Sequence, residues 1–78
     1  MFAIQNQRTK QFVYGTNFGW PRTQNTSFNQ MLTYDEQFYA EFDFLHRECD
    51  SEYQIVELNP VTVKRVLPPV KDPRKRDE

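Results

Sequence analysis

Phe38, Phe42, Leu45 and Cys49 recur at i, i+4, i+7 and i+11, which is the repeat of one face of an α-helix. Tyr34 extends the stripe at its N-terminal end. Thr33 and Glu36 have the spacing of a capping box, in which the threonine hydroxyl takes a first-turn amide and the glutamate returns to the cap amide. Asp35 and Glu36 also stand where the positive end of a helix favours acids. The pattern predicts a helix from Tyr34 to Cys49 with the stripe buried. Phe44 does not belong to that stripe, because it lies about 120° from Phe38 around the axis. Two readings of it stay open: a wide apolar arc covered by a loop, or an exposed ring used for partner contact or dimerisation.

The segments around the helix alternate as strands do. Phe2 and Ile4 share one face with Ala3 on the other, and Phe12 and Tyr14 share a face after the polar turn Gln7–Lys10. Residues 2–6 and 11–15 therefore predict a hairpin. Residues 16–28 hold Gly19, Pro21 and several Asn, Thr and Ser without periodicity. They are expected to form a long loop packed down by Phe18, Trp20 and Phe28. Gln30–Thr33 reads as a short third strand. Tyr53–Leu58 is the best strand in the chain, apolar on both faces and so expected to be central. Asn59-Pro60 breaks it, and residues 61–67 can add an edge strand guarded by Lys64 and Arg65.

The fold class that follows is α+β: a small antiparallel sheet in β-β-β-α-β order, with a possible extra edge strand and one amphipathic helix across one face. Residues 1–67 form the compact domain. Residues 68–78, with three prolines and no aromatic, are expected to be a flexible charged tail. The expected core is Phe2, Ile4, Phe12, Tyr14, Leu32, Phe38, Phe42, Leu45, Ile55 and Val56. Seven Phe, four Tyr and one Trp supply much of what aliphatic residues usually supply. A core drawn from 78 residues leaves a small margin over ordering entropy, so a partner or homodimer over the Phe44 or Trp20 surface would add useful burial.

The residue inventory argues against catalysis. One cysteine, Cys49, and one histidine, His46, leave no Cys-cluster metal site and no His-based constellation. Cys49 continues the buried stripe near a helix C-terminus, which disfavours a thiolate. Glu41, His46 and Asp50 do not share a helical face, and nothing makes a cleft around Glu41 and Glu48 on the open helix or Glu52 beyond it. Two glycines make a phosphate-cradling loop improbable. The chain is thus expected to be non-enzymatic, with no cofactor, metal or small-molecule substrate. It has no apolar run long enough to span a membrane and no leader pattern, which points to the cytoplasm.

The net charge of −1 hides three blocks. Residues 1–33 hold Arg8, Lys10 and Arg22 and no acid. Residues 34–63 hold Asp35, Glu36, Glu41, Asp43, Glu48, Asp50, Glu52 and Glu57 against Arg47 alone. Residues 64–78 hold six bases against three acids. An acidic middle suits a basic protein partner, met through Trp20, Glu41, Asp43, Phe44 and Glu48. Helical acids spaced about 5–6 Å apart can also imitate nucleic-acid phosphates, which is one form of an inhibitor. The alternative is a nucleic-acid binder whose sheet edge joins Arg8, Lys10, Arg22, Lys64 and Arg65 to exposed rings. A virion structural component is a third reading.

The opening run Met1–Thr16, the entry Met31–Asp35 into the helix and the strand Tyr53–Leu58 resemble, in layout, short accessory proteins of tailed bacteriophages. The resemblance covers residues 1–58 and carries no shared site. It implies a small protein of the infected bacterial cell that binds and inhibits or redirects a host protein, such as a nucleic-acid-processing or defence enzyme.

Overall fold

The computed structural model describes residues 1–59 and 62–70. It contains β1 (Phe2–Asn6), β2 (Phe12–Asn17), β3 (Thr23–Ser27), α1 (Gln37–His46), β4 (Tyr53–Asn59) and β5 (Thr62–Val66). All strand pairs are antiparallel, in the order β3-β2-β1-β4-β5. The fold is α+β, with α1 packed on one face of a five-stranded sheet.

The hairpin β1–β2 forms where the alternation placed it. Asn6 shapes its turn: the side-chain oxygen accepts from the Arg8 and Thr9 amides, and Lys10 takes a positive φ of 65°. β1 and β2 pair in register only at Gln5 and Phe12, and then diverge. The gap is filled by the segment 32–34. The Leu32 amide donates to Val13, while Tyr34 exchanges both backbone hydrogen bonds with Phe2 at 2.8 Å. The strand expected at Gln30–Thr33 is thus reduced to a bridge at Tyr34.

That bridge also corrects the helix start. Both backbone groups of Tyr34 are committed to Phe2, so residues around it stay extended and α1 begins at Gln37. Glu36 occupies the cap position with no side-chain cap bond, and the Thr33–Glu36 capping box does not form. The C-terminus is also earlier than expected, at His46. There the Glu48 amide bonds the Leu45 carbonyl and the Cys49 amide bonds that of Phe44, with Glu48 at φ 52°. This is a Schellman closure, with Glu48 in the left-handed position and Cys49 returning to pack beside Phe44.

The largest correction concerns the helix face. Ala40 and Phe44 point into the sheet, and Phe44 is 7% exposed. Phe38 and Phe42 of the expected stripe are 59% and 74% exposed. Phe44 joins Ile4, Val13, Ile55 and Leu67 in the main core, with Phe2, Leu32, Tyr34, Cys49, Tyr53 and Val70 around them. The inward row runs Gln37, Ala40, Phe44, Arg47 at i, i+3, i+7, i+10. Both its ends are polar, so an apolar pattern favours the other row.

The opposite sheet face has its own small core of Ala3, Phe12, Val56 and Leu58 under Met31. β2 therefore presents Val13 to the helix and Phe12 to the far side, while Tyr14, placed in the core on alternation, is exposed. The shift between Val13 and Gly15 in the β2–β3 register breaks the alternation there. β4 is flanked by β1 and β5, with Ile55 on the helix side and Val56 and Leu58 on the other.

Two further expectations change. The stretch 16–28 is not one long loop: β2 runs to Asn17 and β3 follows as an edge strand. A wholly polar run of Thr, Gln, Asn, Thr and Ser shows no hydrophobic period, and the ladder with β2 supplies its order instead. Phe18, Trp20 and Phe28 do not pack down as a lid; all three are exposed. At the C-terminal end, β5 forms the expected edge, Leu67 is buried, and Val70 lies against the core. The expected strand break at Pro60, the start of the edge strand at Val61 and the tail from 71 to 78 lie outside the described residues.

Phe44→Ala is expected to cost about 3–5 kcal/mol of unfolding free energy, whereas Phe42→Ala stays within about 0.5 kcal/mol. Urea denaturation followed by far-UV circular dichroism checks both. Equal losses at the two positions would show that α1 is rotated from this arrangement.

Candidate functional site

The outer surface of α1 carries the feature most unlike a finished protein surface. With Ala40 and Phe44 turned inward, Phe38, Tyr39 and Phe42 are left facing out over adjacent turns. The Phe38 and Tyr39 rings lie 4.2 Å apart, centroid to centroid. Phe42 stands as a ridge between two open hollows. One is lined by Phe38, Glu41, Leu45, Pro69 and Val70. The other is lined by Leu32, Thr33, Tyr34, Asp35, Tyr39, Asp43 and Arg47. Neither hollow encloses a small molecule; each is a trough beside an apolar ridge. Contiguous exposed apolar surface rimmed by polar groups marks an interaction surface more often than isolated exposed residues do.

The candidates read from the sequence fall in different places. Glu41 lines the first hollow, bonded through its carboxylate to Gln37 at 3.4 Å. Trp20, 93% exposed, projects from the β2–β3 connection. Phe44 is a core ring and cannot be a contact residue. Asp43 is turned inward, accepting from the Tyr34 hydroxyl and from Arg47 Nε at 2.7 Å. Glu48 belongs to the helix closure and pairs with Arg22 at 2.7 Å. The outward residues Phe38 and Phe42 were legible as a helical stripe, but as core.

Asp43 and Arg47 belong to a polar staple that holds the end of α1 to the sheet. Arg47 Nη1 donates to Thr16 Oγ1 at 2.8 Å, and the Thr16 hydroxyl donates to Gln24 Oε1 at 2.6 Å. Gln24 Nε2 then donates to the Arg47 carbonyl at 2.7 Å, and Arg22 Nη1 to the His46 carbonyl at 3.0 Å. Carbonyls that a helix end leaves without partners are thereby satisfied from β3 and its approach. The guanidinium carbons of Arg22 and Arg47 lie 5.4 and 5.6 Å from the centroid of Phe18, whose ring also meets His46 at 5.5 Å. Every member has an internal partner, so the cluster positions α1 rather than offering a reactive group.

The five basic candidates do not share an edge. Arg8 and Lys10 lie in the β1–β2 turn, Arg22 at the opposite end of β2, and Lys64 and Arg65 on β5, the edge farthest from β3. Three of them are paired with acids: Arg8 with Glu52 at 3.8 Å, Arg22 with Glu48, and Arg65 with Glu57 at 2.9 Å. A continuous basic track for a phosphate backbone is not formed by these residues. Among the described residues, no three of His, Cys, Asp and Glu come together as metal ligands.

Burial pushes the Cys49 thiol up to about 12. Burial, with the hydrogen bond to Asp43 second, also raises the Tyr34 phenol above its ordinary range. Both groups keep their protons in the folded chain at pH values where the unfolded chain releases them. Stability is therefore expected to be level below about pH 8.5 and to fall as pH rises toward 12. Thermal unfolding from neutral to alkaline pH tests this, and Cys49→Ser should show the shallower decline; a rise in stability with pH would contradict it. No family model, curated protein or solved structure matches the chain.

Proposed function

We propose that the chain is a non-enzymatic binding protein whose contact surface is the outer face of α1. The observation that carries this reading is the exposure of Phe38 and Phe42, at 59% and 74%, on a helix whose opposite row is buried in the core. Leaving two rings of that size in water offsets part of the folding free energy of a small domain. Transfer of those rings to a partner recovers it, which is how a few central aromatic anchors dominate an interface. Glu41 and the acids at the start of the helix form the polar rim around them. The acidic helix expected from the sequence thus keeps its part, with Phe38 and Phe42 at its centre in place of Phe44.

The non-catalytic reading is supported by the satisfied polar staple and by the protonated, half-buried thiol of Cys49. From the resemblance in layout to short bacteriophage proteins, the partner is proposed to be a protein of the infected bacterial cell, met in the cytoplasm, whose activity the chain inhibits or redirects.

The test is affinity capture from nuclease-treated bacterial lysate with the tagged chain and with the Phe38→Ser/Phe42→Ser variant. One protein retained near stoichiometry by the first and lost by the second is the expected result. The variant should unfold within about 1 kcal/mol of the parent, since both rings are exposed. Retention of the same protein by a folded variant would rule this surface out.

A further inference from the structure

We infer that the occupant of the α1 face is an amphipathic helix of a partner protein, bearing Lys or Arg beside its apolar residues. The inference rests on the reading of that face as the contact surface, and it adds the chemistry of what docks there. Charge supplies the first argument. Asp35, Glu36 and Glu41 surround the N-terminal half of the ridge, and no Lys or Arg occurs from Thr23 to His46. Among the described residues, the bases at the end of the helix are committed elsewhere: Arg47 to Asp43 and Thr16, and Arg22 to Glu48 and the His46 carbonyl. The rim is therefore negative around an apolar centre, and complementarity calls for cations flanking apolar side chains.

Shape supplies the second. Phe42 makes a ridge on the helix with an open trough on each side, one walled by Phe38 and Leu45 and the other by Tyr39. A second helix can lay its own row of side chains into such a trough, ridge into groove, using i, i+3, i+4 and i+7 as anchors.

The same charges weigh against the other occupants. A second copy whose helix runs parallel to the first about a two-fold axis would set Asp35, Glu36 and Glu41 against the same residues, and like charges at an interface are costly. The chain's own residues 71–78 are basic, but beyond Val70 they contain no Leu, Ile, Val, Met, Phe, Tyr or Trp to cover the two phenyl rings.

The test uses the full chain and two labelled model helices, each about four turns long. Both carry Leu at i, i+3, i+4 and i+7; one has Lys at the flanking positions and the other Glu. Fluorescence anisotropy is expected to show the Lys peptide binding about tenfold or more tighter than the Glu peptide. Its affinity should fall with added salt and fall about tenfold or more in Phe42→Ser. Asp35→Lys/Glu41→Lys should reverse the preference between the peptides while leaving the unfolding transition in place. Equal binding of the two peptides, lost in Phe42→Ser, would overturn the basic partner and leave the surface reading standing. Peptide binding unchanged in a folded Phe38→Ser/Phe42→Ser variant would overturn both. Failure to bind either peptide, with dimerisation in sedimentation equilibrium that Phe42→Ser abolishes, would assign the face to a second copy and overturn the inference.

Discussion

Phe44 packs against Ile4, Val13, Ile55 and Leu67, and this packing sets the rotation of α1 about its own axis. Ala40, one turn earlier and fully buried, has the small side chain that lets the helix backbone approach the sheet. Once that row faces inward, geometry sends Phe38 and Phe42 outward, because a helix of ten residues has no second core to offer them. The exposed ridge is thus a consequence of how the core is filled. A larger domain would cover such a ridge with another element; among the described residues this sheet has only one helix to place on it.

The staple around Asp43 and Arg47 secures the same rotation by a different physical means. Hydrophobic burial is non-directional and tolerates some rolling of a short helix. The hydrogen bonds from Arg47 to Thr16 and Asp43, and from Gln24 and Arg22 to the last carbonyls of α1, hold only one orientation. They also explain why the acidic middle of the chain is not uniformly available to a partner. Asp43, Glu48, Glu52 and Glu57 each have a basic counterpart within the fold, while Asp35, Glu36 and Glu41 have no ion pair among the described residues. A block of charge in the sequence has been divided by the tertiary structure into internal pairs and an outward rim.

Legibility in the sequence followed the strength of the local signal. The β1–β2 hairpin, the central β4 and the Lys- and Arg-bearing edge β5 each have strand periodicity or turn residues that act within a few positions. β3 has neither, since an all-polar edge strand is ordered by its neighbour's backbone rather than by its own side chains. The segment before the helix failed for a related reason. Thr33 and Glu36 carry a genuine capping pattern, but two backbone hydrogen bonds between Tyr34 and Phe2 outweigh one side-chain cap. Of the candidate contact residues, Glu41 lines an outer hollow and Trp20 is exposed where a packed-down lid was expected, whereas Phe44, Asp43 and Glu48 are occupied by the fold itself.

The class of the fold follows from local pattern alone: alternating segments on either side of one helical stretch leave little besides a small antiparallel sheet carrying a single helix. Composition and charge order likewise determined that aromatic rings would dominate both core and surface, and that acids would gather around the helix. Which rings are buried and which are exposed depends on contacts between elements. Two rows of α1 could have been buried, and the local pattern favoured the wrong one because the inward row ends in Gln37 and Arg47. Arg47 meets Thr16 and Gln24 only when β2 and β3 are brought alongside, whereas Gln37 bonds Glu41 within the helix, and long-range partners like those of Arg47 leave no trace in the periodicity of a single segment.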